Sequence, residues 1–313
     1  MELQFLGTGS GVPAKFRNVS SIALKLLQER NAVWLFDVGE GTQMQILHTS
    51  IRPRKIEKIF ITHLHGDHIF GLPGLLSSRS FQGGEEKLTP IDIYGPIGIK
   101  DFIKTTLSLS STKMAYPVHF YELSEEGGKI FEDERFIVHA MPLEHGVLSF
   151  GYRVEEKDQG GRLNADRLVE LGVPFGPIFG RLKQGEVVEL PDGRIVNGKE
   201  FIGEPRPGRV VTVIGDTRKT KQACLLAVRA DVLVHEATFE DSEEKKAHYY
   251  FHSTSTQAAK IAKEAGVGQL ILNHYSARYN NKDITKLCNQ AREIFENTIV
   301  VKDFDEVEIP YRK

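Results

Sequence analysis

Six consecutive residues, from His63 to His68, read His-Leu-His-Gly-Asp-His and follow directly after a strand-like run. In an extended chain, side chains two residues apart point the same way, so His63 and His65 can bind one ion together. The glycine that follows permits a sharp turn, after which Asp67 and His68 can face a second ion. Imidazole and carboxylate ligands suit zinc, and also manganese, iron or cobalt. The segment therefore predicts a metal site.

Short apolar or β-branched runs recur along the chain, and several end at a residue that can bind a metal or a proton. Helical segments alternate with these runs, which indicates a layered α/β architecture. Loops are generally polar, which explains any single case but not the frequency of His, Asp and Glu. In layered α/β folds, sites gather at the carboxyl ends of strands. The runs are residues 33–36 before Asp37, 59–62 before His63, 210–214 before Asp216, 232–234 before His235 and Glu236, and 270–273 before His274.

One predicted helix is marked at both ends. Residues 254–257 read Thr-Ser-Thr-Gln, the pattern of a capping box, and Gly266 closes the segment. The apolar residues between these signals share one helical face: Ala258, Ile261, Ala262 and Ala265.

A catalytic metal pair needs ligands from elsewhere in the chain. His145, Asp216 and His274 each follow a separate strand-like run. A carboxylate can bridge two cations with its two oxygens, and Asp216 is the candidate for this bridge. The remaining histidines lack such a context: His139 is expected to be a surface or packing residue, and His48, His119 and His248 are not expected to be ligands.

Composition excludes several classes of protein. Hydrophobic residues make up 40% of the 313 residues and charged residues 26%, so disorder over most of the chain is excluded. The net charge of -2 means that any nucleic-acid contact must use local patches. The two cysteines, Cys224 and Cys288, lie in segments that read as helical and suit a reducing compartment. No signal peptide and no apolar run of ~20 residues is evident, so we expect a soluble cytoplasmic protein with no membrane contact.

The histidine segment, taken together with motifs spread along the chain, resembles the pattern of the metallo-β-lactamase superfamily of hydrolases. More narrowly, the chain is similar to bacterial short-form ribonuclease Z, the family of endonucleases that trim the 3′ end of precursor tRNA. The histidine segment marks only the superfamily, whereas His-Glu-Ala-Thr at 235–238 and Pro-x-Lys-x-Arg-Asn at 13–18 are more specific to the family. No ligand position departs from the pattern. The other matching segments are residues 7–11, 36–43, 71–74, 216–218 and 276–279.

The resemblance implies an α/β fold, an αββα sandwich of two mixed β-sheets flanked by helices, formed by residues 1–153 and 209–313. Residues 154–208, rich in glycine and charge, would be an inserted, protruding, flexible arm that grips the tRNA. The alternative is a surface excursion with no task. Family members act as homodimers in which one subunit's arm serves the other's active site. Two zinc ions per subunit are implied, one held by His63, His65, His145 and Asp216, the other by Asp67, His68, Asp216 and His274.

Hydrolysis of a phosphodiester needs a strong nucleophile and stabilisation of negative charge, and two cations about 3.5–4 Å apart can supply both. Asp67 is the predicted acceptor for the proton of the attacking water. His252 is the predicted acid for the leaving 3′ oxygen, with Glu236 orienting its ring. The products would be a 3′-hydroxyl and a 5′-phosphate. Alternatively, His252 and Glu236 only brace the metal loops; His235 is expected to point the other way from Glu236.

Two short segments and the arm carry the predicted substrate contacts. The first resembles the family's loop that senses the tRNA 3′ end and disfavours a finished CCA terminus. The second follows His274 and places a hydrogen-bond donor, a cation and a ring beside the metals. In the arm, a small basic cluster is expected to contact phosphates without reading bases. The predicted contacts are Lys15, Arg17 and Asn18, then Ser276, Arg278 and Tyr279, and in the arm Arg181 and Lys183.

Two other functions remain open from the sequence. A dinuclear hydrolase of the same fold that acts on small phosphodiesters or sulfate esters would share the metal chemistry. The arm and the loop at 15–18 favour a large RNA instead. The non-enzymatic alternative is a zinc-stabilised RNA-binding protein with a decayed site, against which the intact ligands and Asp67 argue.

Overall fold

The structure is a computed structural model that describes residues 1–82 and 88–312 of the chain. Within it, the chain divides into two compact units. The larger contains Met1–Glu155 and Val210–Pro310, and the smaller contains Glu156–Arg209 with the residues from Tyr311 onward.

Two mixed β-sheets, each of seven strands in the described residues, form the frame of the larger unit. From the central strand to one edge of each sheet, neighbouring strands are parallel, so their carboxyl ends lie side by side. In spatial order the first sheet is β18 (Glu306–Glu308), β1 (Glu2–Gly7), β3 (Ser21–Leu26), β4 (Ala32–Phe36), β5 (Ile56–Phe60), β6 (Ile91–Pro96) and β7 (Val118–Leu123). The second is β17 (Thr298–Val300), β15 (Gln269–Asn273), β14 (Val232–Glu236), β13 (Val210–Val213), β10 (Ser149–Glu156), β9 (Phe136–Leu143) and β8 (Gly128–Glu132).

Aromatic and aliphatic side chains from both sheets pack face to face in one core. Trp34 of β4 is fully buried there and meets Phe136 of β9 edge-on, with ring centroids 5.3 Å apart. Burial of such large side chains between two sheets is a main source of stability for this kind of fold.

Helices cover the outer face of each sheet, and each layer has its own apolar cluster. The layers therefore follow the order helix, sheet, sheet, helix, which confirms the predicted αββα sandwich. The helices of the larger unit are α1 (Leu27–Arg30), α2 (Thr42–Ile46), α3 (Gly66–Ile69), α4 (Leu72–Arg79), α5 (Ile99–Leu109), α8 (Lys221–Ala227), α9 (Glu244–Tyr249), α10 (Ser255–Ala265) and α11 (Asn281–Arg292).

Helix α10 is the helix that the capping signals predict. Thr254 and Gln257 form a reciprocal capping box, and Gly266 ends the helix with a left-handed backbone, φ 64°. Cys224 and Cys288 lie in α8 and α11, as the sequence predicts, and both are free thiols.

The smaller unit has a core of its own, built from apolar residues that include Leu168, Leu182 and Phe201. Its elements are α6 (Ala165–Glu170), α7 (Pro177–Lys183) and the antiparallel pair of β11 (Val187–Glu189) and β12 (Ile195–Asn197). Across the described residues of both units, no helix combines the length and apolarity needed to cross a membrane.

Candidate metal centre

The four potential ligands of the histidine-rich segment lie just beyond the carboxyl end of β5. His63 and His65 are in the loop, and Asp67 and His68 are in the short helix α3. Gly66 begins that helix, and a Cβ atom there would lie 2.3 Å from the ring of Phe70. A larger residue at the turn that separates the two pairs of ligands would therefore displace the exposed ring of Phe70.

His63, His65 and His145 form a first group of side chains. Nε2 of His63 lies 2.9 Å from Nδ1 of His65, and Nε2 of His145 lies 3.2 Å from that same atom. Because His145 follows β9, the group combines residues that follow strands of both sheets.

Asp67, His68 and His274 form a second group. Oδ2 of Asp67 lies 3.4 Å from Nε2 of His68 and 3.6 Å from Nε2 of His274. Asp216 faces both groups: its Oδ2 lies 3.8 Å from Nε2 of His63 and 3.6 Å from Nε2 of His68. Its Oδ1 lies 3.3 Å from Nε2 of His274. The structure thus brings together all seven side chains that the sequence named as metal ligands.

Four of these histidines are oriented by a contact at Nδ1, which turns Nε2 toward the other ligands. Such outer contacts fix the ring and the tautomer of a metal-binding histidine. They join His63 to Oγ1 of Thr62 (3.0 Å), His68 to Oδ2 of Asp37 (2.7 Å), His145 to the carbonyl oxygen of Phe251 (2.8 Å) and His274 to Oγ1 of Thr238 (2.9 Å).

The hydrogen bonding of two ring nitrogens indicates whether the cluster fits a metal ion. Nε2 of His68 and Nε2 of His274 are buried and have no hydrogen-bond partner among residues 1–82 and 88–312. Buried polar atoms are normally satisfied, so such nitrogens need a partner that the protein does not supply. Nitrogen donors beside two carboxylates suit a divalent cation. The residues present therefore fit a metal site.

The ionisable groups of the cluster shift one another's pKa values. Burial alone would raise the pKa of Asp216, but the neighbouring histidines hold it well below its usual range. Burial, together with the charge of His68, holds the pKa of His63 well below its usual range. Burial would lower the pKa of His68, but Asp216 and Asp37 hold it well above its usual range. An ionised carboxylate and a neutral imidazole are the forms that bind metals, so metal binding displaces a proton from His68.

Glu236 lies at the end of β14 and holds His252. Its Oε1 accepts from Nδ1 of His252 at 2.9 Å and from the backbone N–H groups of Thr217 and Ser253. Burial would lower the pKa of His252, but the carboxylate of Glu236 raises it to about 9. His235 is also buried, but it belongs to none of the possible ligand groupings in the described part of the chain.

Three residues of the site have an unusual backbone. Asp37, Phe251 and His274 adopt left-handed conformations, with φ of 58°, 60° and 58°. Residues other than glycine rarely do so, because the Cβ atom crowds the backbone. Such local strain tends to collect at functional sites, where the surrounding structure maintains it.

The side chains of the predicted substrate loop at 15–18 differ in their exposure to solvent. Lys15 is exposed. Arg17 is only 8% exposed, because Nε donates to Oγ1 of Thr8 and the guanidinium stacks on the ring of Tyr275. Asn18 is half-buried and donates through Nδ2 to a backbone carbonyl at 2.8 Å.

The second predicted substrate segment follows His274. Ser276 belongs to β16 (Tyr275–Ser276), which pairs with β2 (Gly9–Ser10). Arg278 is exposed, and Tyr279 is half-buried. In the smaller unit, Arg181 and Lys183 lie on α7, both exposed, and Nε of Arg181 donates to Glu186 at 2.8 Å.

The sequence did not assign the residues that orient the ligands. Asp37 accepts from His68 and also from the backbone N–H and the hydroxyl of Thr62. Its position at the end of β4, parallel to β5, was a usable signal. Thr238 is the last residue of the motif at 235–238, but the motif did not indicate its role: its hydroxyl links Glu236 to His274 across two strand ends.

Comparison with known proteins gives consistent similarities. A family model described as Anti-Pycsar protein Apyc1 matches residues 1–115. The chain is 62% identical over 311 residues to the Ribonuclease Z of Enterococcus faecalis, which covers 99% of this chain and 98% of that protein. The crystal structure of human tRNase Z, short form, is 31% identical with a TM-score of 0.69, covering 99% and 100% of the two chains. A metallo-β-lactamase fold protein from Bacillus subtilis, 18% identical with a TM-score of 0.66 over 98% of each chain, shows the fold alone.

Asp37→Asn should weaken metal binding without unfolding the protein. An amide can donate to Nδ1 of His68, which would place the ring proton on Nε2 and remove that nitrogen as a ligand. Loss of an outer-shell partner of this kind typically costs about 10- to 100-fold in metal affinity. Competition with a chromophoric chelator measures the change.

Asp92→Asn is the matched control. Asp92 also contacts a histidine, Nδ1 of His119 at 2.9 Å, but lies outside the cluster. Its replacement should leave metal affinity unchanged. An Asp37→Asn protein that binds metal as tightly as the wild type would show that this contact does not orient His68.

Proposed function

The chain belongs to the ribonuclease Z family, and from this premise we propose that it removes the 3′ trailer of precursor tRNA with two zinc ions in each subunit. The family's activity is that of a hydrolytic endoribonuclease in tRNA 3′ processing. We place the cut after the discriminator base, leaving a 3′-hydroxyl on the tRNA and a 5′-phosphate on the trailer.

One observation carries this proposal: the two groups of histidine and aspartate side chains share Asp216 between them. The first ion would be held by His63, His65, His145 and Asp216, and the second by Asp67, His68, Asp216 and His274. Manganese, iron or cobalt would suit the same donors. When bound, such ions supply the activation of water and the stabilisation of charge that phosphodiester hydrolysis requires.

Asp67 is the proposed acceptor for the proton of the attacking water. Its side chain remains 11% exposed, and Oδ2 accepts from the N–H of Gly11 at 2.7 Å. This contact orients the carboxylate at the mouth of the site.

His252 is the proposed acid. With Nδ1 held by Glu236, the ring can present an Nε2 proton to the 3′ oxygen as its bond to phosphorus breaks. The water oxygen joins phosphorus, the water proton passes to Asp67, and the leaving oxygen takes the proton of His252.

Substrate binding is assigned to the exposed cations and the nearby polar groups. Lys15, Arg17 and Asn18 would contact the 3′ end, with Lys15 the most exposed of the three, and Ser276, Arg278 and Tyr279 would flank it. The smaller unit is the proposed tRNA-binding arm, with Arg181 and Lys183 on phosphates. We extend the proposal to a homodimer whose arm acts in trans, and to a cytoplasmic location, where precursor tRNA is available.

The direct test uses metal-loaded protein and a precursor tRNA with a 3′ trailer and no encoded CCA. We expect one cut after the discriminator base, a 3′-hydroxyl on the tRNA, and two zinc ions for each chain by elemental analysis. Asp67→Ala should abolish the cut, because it removes both a ligand and the proton acceptor. An uncut precursor, in protein that holds two metals, would move the assignment to small phosphodiesters.

The variant His252→Ala distinguishes a role of His252 as general acid from a purely structural role in supporting the metal loops. Loss of a general acid should lower the rate on precursor tRNA by about 10²- to 10⁴-fold. Bis(p-nitrophenyl) phosphate releases an anion that needs no proton, so its turnover should fall far less. Equal losses on both substrates, accompanied by loss of metal, would instead assign His252 a purely structural role.

The arm is tested by the salt dependence of tRNA binding. Each lost phosphate contact should reduce the slope of log affinity against log salt by about one, so the double variant Arg181→Ala, Lys183→Ala should lose about two. An unchanged slope would remove these residues from the interface. Mixing this variant with Asp67→Ala should restore cleavage at low substrate if the arm acts in trans, and should restore nothing if it acts in cis.

A further inference from the structure

The carboxylate of Glu243 contacts three side chains, two of which belong to the segment that follows the candidate ligand His274. It ends a short 3₁₀ turn, Asp241–Glu243, directly before α9. Its carboxylate accepts from Nη1 of Arg278 at 2.9 Å, from Nζ of Lys246 at 2.6 Å and from the hydroxyl of Tyr279. Only 20% of the Glu243 side chain is exposed. The carboxylate is therefore fixed on several sides.

Arg278 is fixed while still facing solvent. Its Nε donates to Oγ of Ser276 at 3.1 Å, its Nη1 donates to Glu243, and its guanidinium lies 5.4 Å from the ring centre of Phe239. Even so, 46% of the side chain is exposed. An arginine offers five N–H donors in a rigid fork, so the donors that these contacts do not use can meet a phosphate.

Arg278 lines a cavity formed by the segment that follows the candidate ligand His274 and by the loop at 14–17. The cavity has a volume of about 590 Å³, and Lys15, Phe16 and Lys282 also line it. The residues of its two walls come after the paired strands β2 and β16 in sequence. Gly11, just beyond β2, donates its N–H to Asp67. RNA that approaches Asp67 along this strand pair would pass beside Arg278.

We propose that Glu243 is a positioning residue for RNA binding, acting through Arg278. Tyr279 and Lys246 orient the carboxylate, and the carboxylate orders the guanidinium before RNA arrives. A side chain that is already ordered does not lose its conformational freedom on binding, so affinity increases. This inference rests on the proposed function, because it deepens the substrate recognition at the same site.

Electrostatics alone predicts the opposite effect. A carboxylate beside an RNA site repels phosphate, so its removal should strengthen binding. Positioning instead predicts that Glu243→Gln weakens binding even though a negative charge is lost. The sign of the change separates the two roles.

The experiment compares Glu243→Gln with Glu244→Gln on precursor tRNA. Glu244 is the adjacent, exposed acid, and its carboxylate accepts from Nε2 of Gln257 at 3.0 Å. Both variants lose the same charge in the same segment. We expect Glu243→Gln to raise KM by about five- to tenfold with kcat nearly unchanged. Glu244→Gln should leave KM equal to or below that of the wild type.

Two further measurements exclude a general structural effect. Turnover of bis(p-nitrophenyl) phosphate by Glu243→Gln should match the wild type, because this small substrate makes no use of Arg278. In an Arg278→Ala background, Glu243→Gln should raise KM by less than about twofold, because the guanidinium that it positions is gone.

The outcomes separate the two proposals. If wild-type protein cuts the precursor but Glu243→Gln leaves KM unchanged or lower, the positioning role is overturned alone. An equal rise in KM with and without Arg278 also overturns it. If metal-loaded wild-type protein leaves the precursor uncut, the proposed function fails and this inference fails with it.

Discussion

The burial of the Asp216 carboxylate is the constraint on which the rest of the site depends. The side chain is only 5% exposed, and an isolated buried charge is very costly. Three imidazole nitrogens, of His63, His68 and His274, surround it, and two of them have no hydrogen-bond partner in the described chain. Imidazole nitrogens are metal donors and a cation stabilises a buried anion, so the same arrangement that makes burial costly suits a metal centre.

The two sheets must meet for this constraint to be satisfied. The histidine segment follows β5 of the first sheet, whereas Asp216, Glu236 and His274 lie at the carboxyl ends of strands of the second. Neither sheet holds a complete group of ligands. The aromatic core between them therefore sets the geometry of the chemistry as well as the stability of the fold.

The sequence predicted what depends on local pattern. The histidine segment, the strand-end acids and the capped helix α10 are short-range signals, and the layered fold followed from them and from the family resemblance. What it could not predict depends on contacts across the fold. Two examples are the burial of Arg17 against Tyr275 and the contact of Thr238 with His274. In each case the two residues are distant in sequence and meet only in the folded chain.

Anomalous diffraction from crystals of the metal-loaded protein tests the central claim most directly, because it locates ions independently of activity. Data collected on either side of the metal absorption edge should give two peaks in each subunit, one beside His63, His65 and His145 and one beside Asp67, His68 and His274. Asp216 should contact both. A single peak, or peaks that Asp216 does not contact, would contradict the claim that this buried carboxylate organises a two-metal centre.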